Sequence, residues 1–173
     1  LRESHGLPAL AFEEIRPFVS RGASAMIEMG FSIKRDDPHF KALREQLIVF
    51  YKEAIALHTQ VFPGILDVLA ALLAKQIAWG IVTNKSTALT DQLLKALALP
   101  YKTDCVVCGD TLAVAKPHPA PVLHACQLLG AKPADNLFVG DAKQDIEAGW
   151  GAGDKTLLAL YGYLHQEDAP HSW

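Results

Sequence analysis

From Phe62-Pro63-Gly64 onward, short apolar runs alternate with segments whose apolar residues recur at helical spacing. The apolar runs predict strands at 77–82, 104–108, 137–139 and 155–160, and helical spacing predicts a helix at 120–129. Strands that alternate with helices are typical of an open parallel sheet that is covered on both faces. We therefore predict an α/β fold with a Rossmann-like open parallel sheet for this part of the chain.

The first 60 residues lack this alternation. Apolar residues at helical spacing run through 12–19, 23–29 and 39–58, and no strand-like pattern separates these segments. Such a pattern is typical of a small helical bundle. We predict a helical domain at 1–60, followed by the α/β domain at 61–173.

Composition and charge restrict the partners of this protein. The net charge is −3 and the sequence contains no basic stripe, which argues against nucleic acid as a partner. No apolar run approaches the ~20 residues that span a bilayer, and the first residues do not form a signal peptide. Three cysteines are too few for a disulfide framework. We expect a cytoplasmic protein that binds neither nucleic acid nor membrane, and its oligomeric state stays open.

Polar side chains follow three of the predicted strands. Thr83 and Asn84 follow the first strand, Lys116 follows the second by way of a loop, and Asp141 follows the third. Parallel sheets bind ligands beyond the carboxyl ends of their strands. A lysine beside a helix amino terminus suits a phosphate group. Each residue also has an ordinary alternative, as a helix cap or a solvated loop charge.

Asp141 and Asp145 are four residues apart at the start of a predicted helix, so their side chains share one helical face. Two crowded carboxylates repel each other unless a cation or a proton lies between them. Hard oxygen ligands at such a place suit Mg²⁺. The alternative is that Asp141 caps the helix and Asp145 is a solvated acid of its first turn.

Three stretches in this order resemble the motifs of the haloacid dehalogenase superfamily, and in particular its phosphoglycolate phosphatase-like branch. They are Ile81-Val-Thr-Asn-Lys85, Lys116-Pro-His-Pro119 and Val139-Gly-Asp-Ala-Lys-Gln-Asp145. The helical segment before Phe62 is similar to the cap that this family inserts ahead of its second motif. Two further stretches, Ser20-Arg21-Gly22 and Ala159–Tyr163, resemble bacterial members of the branch that dephosphorylate N-acetylmuramic acid 6-phosphate.

The resemblance implies a Mg²⁺-dependent phosphatase that acts on a small phosphorylated metabolite, such as phosphoglycolate or a sugar phosphate, through an aspartyl-phosphate. It assigns the phosphoryl oxygens to Thr83 and Asn84 and the neutralisation of their charge to Lys116. It assigns the metal to Asp141, with Asp145 in direct or indirect support. The resemblance also makes Arg21 and Gly22 the cap-side candidates for substrate contact.

The sequence departs from the family at one point. The family's first motif is an Asp-x-Asp run that supplies the nucleophile, and no two aspartates of this chain stand two residues apart. In the family the strand that carries this motif lies between the strands that carry Thr83 and Asp141. We therefore expect the nucleophile to lie outside this chain, and the chain alone to be inactive and unstable as a monomer. A phosphomutase, a dehalogenase and a non-catalytic phosphate- or partner-binding module are the alternative functions.

Overall fold

The computed structural model describes residues 1–164 and 168–173. They form two compact units, one of residues 1–54 with 160–169 and the other of residues 55–159 with 170–173. Within the described part of the chain, every helix is too short or too polar to cross a membrane.

The first unit is built from helices, as its sequence pattern predicts. These are α1 (Phe12–Ile15), α2 (Gly22–Phe31) and α3 (Phe40–Glu53), with 3-10 turns at Glu3–His5 and Arg16–Phe18. Ile27 of α2 and Phe40 and Leu43 of α3 form its buried core. Residues 160–164 and 168–169 also belong to this unit, and Arg16 donates a 3.0 Å hydrogen bond to the carbonyl of Gly162.

The second unit alternates helices and strands. Its elements are α4 (Ile65–Ala74), β1 (Gly80–Val82), α5 (Thr87–Leu97), β2 (Cys105–Val107), α6 (Ala120–Leu129), β3 (Leu137–Gly140), α7 (Lys143–Ala152) and β4 (Lys155–Leu158), with 3-10 turns at Pro133–Asp135 and Pro170–Ser172. The alternation predicted from the sequence is therefore observed. Three strands are shorter than predicted: β1 begins only at Gly80, β2 is limited to Cys105–Val107, and β4 ends at Leu158.

All strand pairs are parallel, but the described strands do not form one continuous sheet. β1 pairs with β2, and β3 pairs separately with β4. The resemblance places the strand of the first motif between the strands that carry Thr83 and Asp141, and the sheet is interrupted there, between β1 and β3. None of the described residues forms a strand at this position, as the absence of the first motif from this sequence predicts.

Helix α6 packs against β1 and β2 and against α7, which in turn packs against β3 and β4. One buried cluster joins Cys105 and Val107 of β2 to Ala125 of α6, and a second joins Val122 of α6 to Ala148 of α7. Val82, the last residue of β1, packs against both clusters. The core under α6 therefore holds together two sheets that share no backbone hydrogen bonds. It also keeps the ends of β1 and β3 on one side of the unit.

A buried polar cluster lies at the amino ends of β3 and β4. Asn136 Nδ2 donates to Asp154 Oδ2, and the Cys126 thiol donates to Asp154 Oδ1 at 3.7 Å. Burial raises the pKa of Asp154, and this outweighs the hydrogen bonds from Asn136 and Cys126, which lower it. Burial and the neighbouring Asp154 raise the pKa of the Cys126 thiol to about 11. This end of the unit is therefore built around groups that stay protonated more readily than usual.

The Asp154→Asn substitution tests the cost of this buried acid. Because its pKa is raised in the folded state, the folded protein binds more protons than the unfolded chain above the ordinary aspartate pKa of about 4. The free energy of unfolding should therefore fall as pH rises from about 4 through the folded pKa. In Asp154→Asn this fall should disappear.

Urea unfolding at a series of pH values measures the effect. Asp135→Asn is the matched control, because it removes an exposed carboxylate one residue before Asn136. Equal pH dependence in the wild type and Asp154→Asn would contradict the assignment.

Candidate active site

The Lys116 ammonium lies between the carboxyl ends of the two strand pairs. Nζ donates a 2.6 Å hydrogen bond to the carbonyl of Val82, the last residue of β1. It lies 2.8 Å from Asp145 Oδ1 on α7 and 5.4 Å from the centre of the Phe138 ring on β3. The side chains of Lys116 and Asp145 are only 9% and 8% exposed. One buried cation therefore joins β1, β3 and α7.

Asp145 shapes the loop that carries Asp141. Its Oδ2 accepts the backbone N–H groups of Asp141 at 3.2 Å and of Ala142 at 3.0 Å. Its Oδ1 faces Lys116 as a charge pair rather than as an aligned hydrogen bond. Gly140 makes this arrangement possible, since a Cβ atom there would lie 2.5 Å from Asp145 Oδ2. Asp145 is thus a buried acid of the first helical turn, not a solvated one.

Thr83 continues the pairing of β1 beyond its last residue. Its N–H donates to the Val107 carbonyl at 2.9 Å, and its hydroxyl accepts the N–H of Lys85 at 3.1 Å. The main chain at Asn84 is closely packed, because a Cβ atom on Gly109 would lie 2.7 Å from the Asn84 carbonyl carbon. The loop after β1 is therefore held by its neighbours at the point where it would meet a ligand.

The Asn84 side chain contacts the other two strand-end loops. Its Oδ1 accepts the Lys116 N–H at 3.0 Å, and its Nδ2 donates to the Lys116 carbonyl at 2.8 Å. The same Nδ2 donates to Gln144 Oε1 at 3.2 Å. Asn84, Lys116 and the Asp141–Asp145 turn are thus brought together, as their positions after successive strands predict.

Arg21 and Gly22 lie in the helical unit. Arg21 pairs with Asp168 at 2.8 Å and lies over the Phe18 ring at 5.3 Å, and its side chain is 48% exposed. Gly22 begins α2 with φ of +81°, a conformation that favours glycine. The substrate roles predicted for both residues stay predictions.

Sequence reasoning missed several of these contacts. Gln144 stands among the variable positions of its motif, and Asp168 lies in a polar tail, so neither position carried a signal. The binding of Lys116 to a backbone carbonyl has no sequence signal at all.

The acidic pair fits part of a magnesium site. Among residues 1–164 and 168–173, no three His, Cys, Asp or Glu side chains form a group that could hold a metal ion. Mg²⁺ is commonly held by one or two carboxylates, and water and substrate phosphate complete its shell. Both oxygens of Asp145 contact other groups, namely Lys116 and the loop N–H groups. The donor set therefore fits Asp141 as a ligand and Asp145 as its support.

Comparison with known proteins identifies the family. The family described as haloacid dehalogenase-like hydrolase matches residues 2–159. This chain belongs to that family. The N-acetylmuramic acid 6-phosphate phosphatase of Pseudomonas aeruginosa is 38% identical over 173 residues, which cover 100% of this chain and 76% of that protein. The phosphoglycolate phosphatase of Xanthomonas campestris is 35% identical over 168 residues, which cover 97% of this chain and 76% of that protein.

A solved structure agrees with the sequence relatives. The crystal structure of a predicted phosphoglycolate phosphatase from Haemophilus somnus superposes with a TM-score of 0.84 and 26% identity, over 99% of this chain and 79% of that one. The family, the Rossmann-like α/β fold and the class of phosphoric monoester hydrolase predicted from the sequence are therefore confirmed.

The buried pair of Lys116 and Asp145 should be important for stability. In Lys116→Met the Asp145 carboxylate stays buried without its counter-charge, and such a loss typically costs about 3–5 kcal/mol of unfolding free energy. The double variant Lys116→Met/Asp145→Asn removes both charges and should lose less than the single variant, as urea unfolding would measure.

The exposed pair of Lys143 and Glu147 on α7 supplies the control. Its atoms lie 3.7 Å apart and the side chains are 62% and 48% exposed. Lys143→Met should therefore change stability by less than about 1 kcal/mol. If Lys116→Met/Asp145→Asn lost as much stability as Lys116→Met and Asp145→Asn lose in sum, the buried charges would not be coupled.

Proposed function

We propose that this chain carries the phosphate- and metal-binding part of a Mg²⁺-dependent phosphatase whose substrate is a small phosphorylated metabolite. The observation that supports this most is the Lys116 ammonium, which Val82 and Asp145 hold at the carboxyl ends of the strands. An ammonium has three donors, and one of them bonds the Val82 carbonyl, while Asp145 balances the positive charge. In this proposal another donor serves a phosphoryl oxygen.

Each strand end has a separate role in the proposal. Thr83 Oγ1 accepts from Lys85, and its own O–H donates to a second phosphoryl oxygen. Asp141 binds Mg²⁺, which when bound supplies positive charge to the oxygens of the transferring group. Asp145 keeps Asp141 and Lys116 in place through its two oxygens.

The remaining step needs a carboxylate nucleophile. In the proposed route an aspartate attacks phosphorus, the substrate alcohol leaves, and water then hydrolyses the aspartyl-phosphate. None of the 173 residues forms the Asp-x-Asp motif that the family uses for this step. The nucleophile in our proposal therefore lies outside this chain.

For the substrate, we propose a sugar phosphate such as N-acetylmuramic acid 6-phosphate ahead of phosphoglycolate. Support comes from the relative named for that sugar phosphate and from the resemblance of Ser20-Arg21-Gly22 and Ala159–Tyr163 to this group. We also propose that residues 1–60 act as a cap that excludes water and reads the alcohol part of the substrate.

Hydrolysis of p-nitrophenyl phosphate by the complete gene product tests the reaction class. We expect hydrolysis with Mg²⁺ and none after chelation with EDTA. Activity without metal on a haloacid would favour a dehalogenase, and a need for a bisphosphate activator would favour a mutase. Binding of inorganic phosphate without any turnover would favour a non-catalytic module and would overturn the proposal.

Asp141→Asn should abolish the magnesium-dependent reaction. Loss of the metal removes several kcal/mol of transition-state stabilisation, so kcat/KM should fall by about 100-fold or more. Asp91→Asn is the control, because it removes an exposed carboxylate from α5. If Asp141→Asn retained more than a tenth of the wild-type activity, Asp141 would not be the metal ligand.

Arg21→Ala should affect binding of the true substrate more than the chemical step. If Arg21 contacts the alcohol part, KM for N-acetylmuramic acid 6-phosphate should rise by roughly tenfold, with kcat and the hydrolysis of p-nitrophenyl phosphate little changed. Arg35→Ala is the control, since Arg35 is an exposed arginine of the same unit that pairs with Glu28. Unchanged KM in Arg21→Ala would remove Arg21 from the substrate site.

A further inference from the structure

The carboxamide of Asn84 makes three hydrogen bonds in the candidate active site. A carboxamide has two N–H donors, and those of Asn84 are directed at the Lys116 carbonyl and at Gln144 Oε1. Its oxygen accepts the Lys116 N–H. A phosphate oxygen accepts hydrogen bonds and needs donors, and this side chain has already committed both of its donors to protein groups.

The contacts with Lys116 have a particular form. One side chain binds both the N–H and the carbonyl of a single residue, at 3.0 and 2.8 Å. Two hydrogen bonds to the same residue fix the position and the rotation of its main chain. The Lys116 ammonium is fixed separately by Val82 and Asp145. Lys116 is therefore held at both ends of its side chain.

Asn84 is a suitable anchor because neighbouring residues contact its main chain closely. It follows Thr83, which pairs with Val107 and so extends the ladder between β1 and β2. The close approach of Gly109 packs its carbonyl from the other side. The contacts made by Asn84 therefore position the loop that carries Lys116 and the turn after β3 relative to β1.

Gln144 extends this network to the acidic turn. It lies in the first turn of α7, between Asp141 and Asp145, and its Oε1 accepts from Asn84 at 3.2 Å. One carboxamide thus connects the loop after β1, the loop that carries Lys116 and the turn after β3.

We infer that Asn84 and Gln144 are positioning residues: the Asn84 carboxamide aligns Lys116 and the Asp141–Asp145 turn on each other, and its side chain does not bind the phosphoryl group. This inference rests on the proposed function for the role of Lys116. A phosphate contact by Asn84 then falls to its backbone N–H. Gln144 enters the site as a residue that no motif of the sequence identifies.

The two hydrogen bonds between the Asn84 carboxamide and the Lys116 main chain form a clamp. Amide hydrogen exchange tests this clamp without any need for turnover. In the wild type the Lys116 N–H should be protected by Asn84 Oδ1, and in Asn84→Ala its exchange should accelerate by about tenfold, the usual scale of one hydrogen bond. The Thr87 N–H provides an internal control, because it donates to the side chain of Asp110 at 2.8 Å in another loop. Its exchange should not change.

Kinetics and phosphate binding by the complete gene product test the consequence. In Asn84→Ala and Gln144→Leu a displaced Lys116 stabilises the transition state less well, so kcat should fall by about tenfold while KM changes by less than twofold. The dissociation constant for inorganic phosphate should change less than kcat. Gln127→Leu, on the exposed face of α6, is the matched control for Gln144→Leu.

The outcomes separate this inference from the proposed function. If the Lys116 N–H is unprotected in the wild type, or stays protected in Asn84→Ala, the clamp does not exist, whatever the enzyme hydrolyses. A tenfold loss of phosphate affinity in Asn84→Ala with unchanged Lys116 exchange would make Asn84 a phosphate ligand and overturn the inference. Should Asn84→Ala fail to fold, an unchanged kcat in Gln144→Leu would also overturn it. An inactive protein with the expected exchange pattern would defeat the proposed function and leave the clamp in place.

Discussion

The pair formed by Lys116 and Asp145 is the interaction on which the rest of the site depends. The two strand pairs share no backbone hydrogen bonds, and at their carboxyl ends the Lys116 ammonium connects Val82 of β1 to Asp145 of α7. Charges this deeply buried are costly unless each has a partner. Asp145 meets that requirement for Lys116, and the same carboxylate accepts the N–H of Asp141. The Lys116 ammonium and the Asp141–Asp145 turn are consequently held by the same carboxylate.

The two ends of the strands differ in their electrostatics. At the carboxyl ends Lys116 and Asp145 form a charged pair, and the Asn84 carboxamide holds the loops around it. At the amino ends of β3 and β4 burial raises the pKa values of Asp154 and the Cys126 thiol, so both groups are harder to ionise than usual. The carboxyl ends therefore hold a buried charged pair, whereas these two buried groups at the opposite end of β3 and β4 resist ionisation.

The sequence predicted the order and type of the elements well, because the local spacing of apolar residues indicates each element. Residues 120–129 form the predicted helix, since their apolar spacing and Gly130 mark its course and its end. The strands were placed correctly, but β1 is shorter than its apolar run. Ile77 is apolar and half exposed, so hydrophobicity alone did not separate a paired residue from an exposed one. No local pattern predicts the division of the sheet between β1 and β3, and it was expected only because the resemblance places the strand of the absent first motif there.

The sequence by itself determined that Thr83, Asn84, Lys116 and Asp141 would lie on one rim. They follow successive strands, and parallel strands place their carboxyl ends on the same rim of a sheet. Only the tertiary structure decided what each side chain does there. It directed Asp145 to Lys116 and to the backbone of its own turn, and it engaged both donors of Asn84 with Lys116 and Gln144. Residue type and spacing fix which groups are available, whereas hydrogen bonds between loops far apart in the chain fix which of them remain available for a ligand.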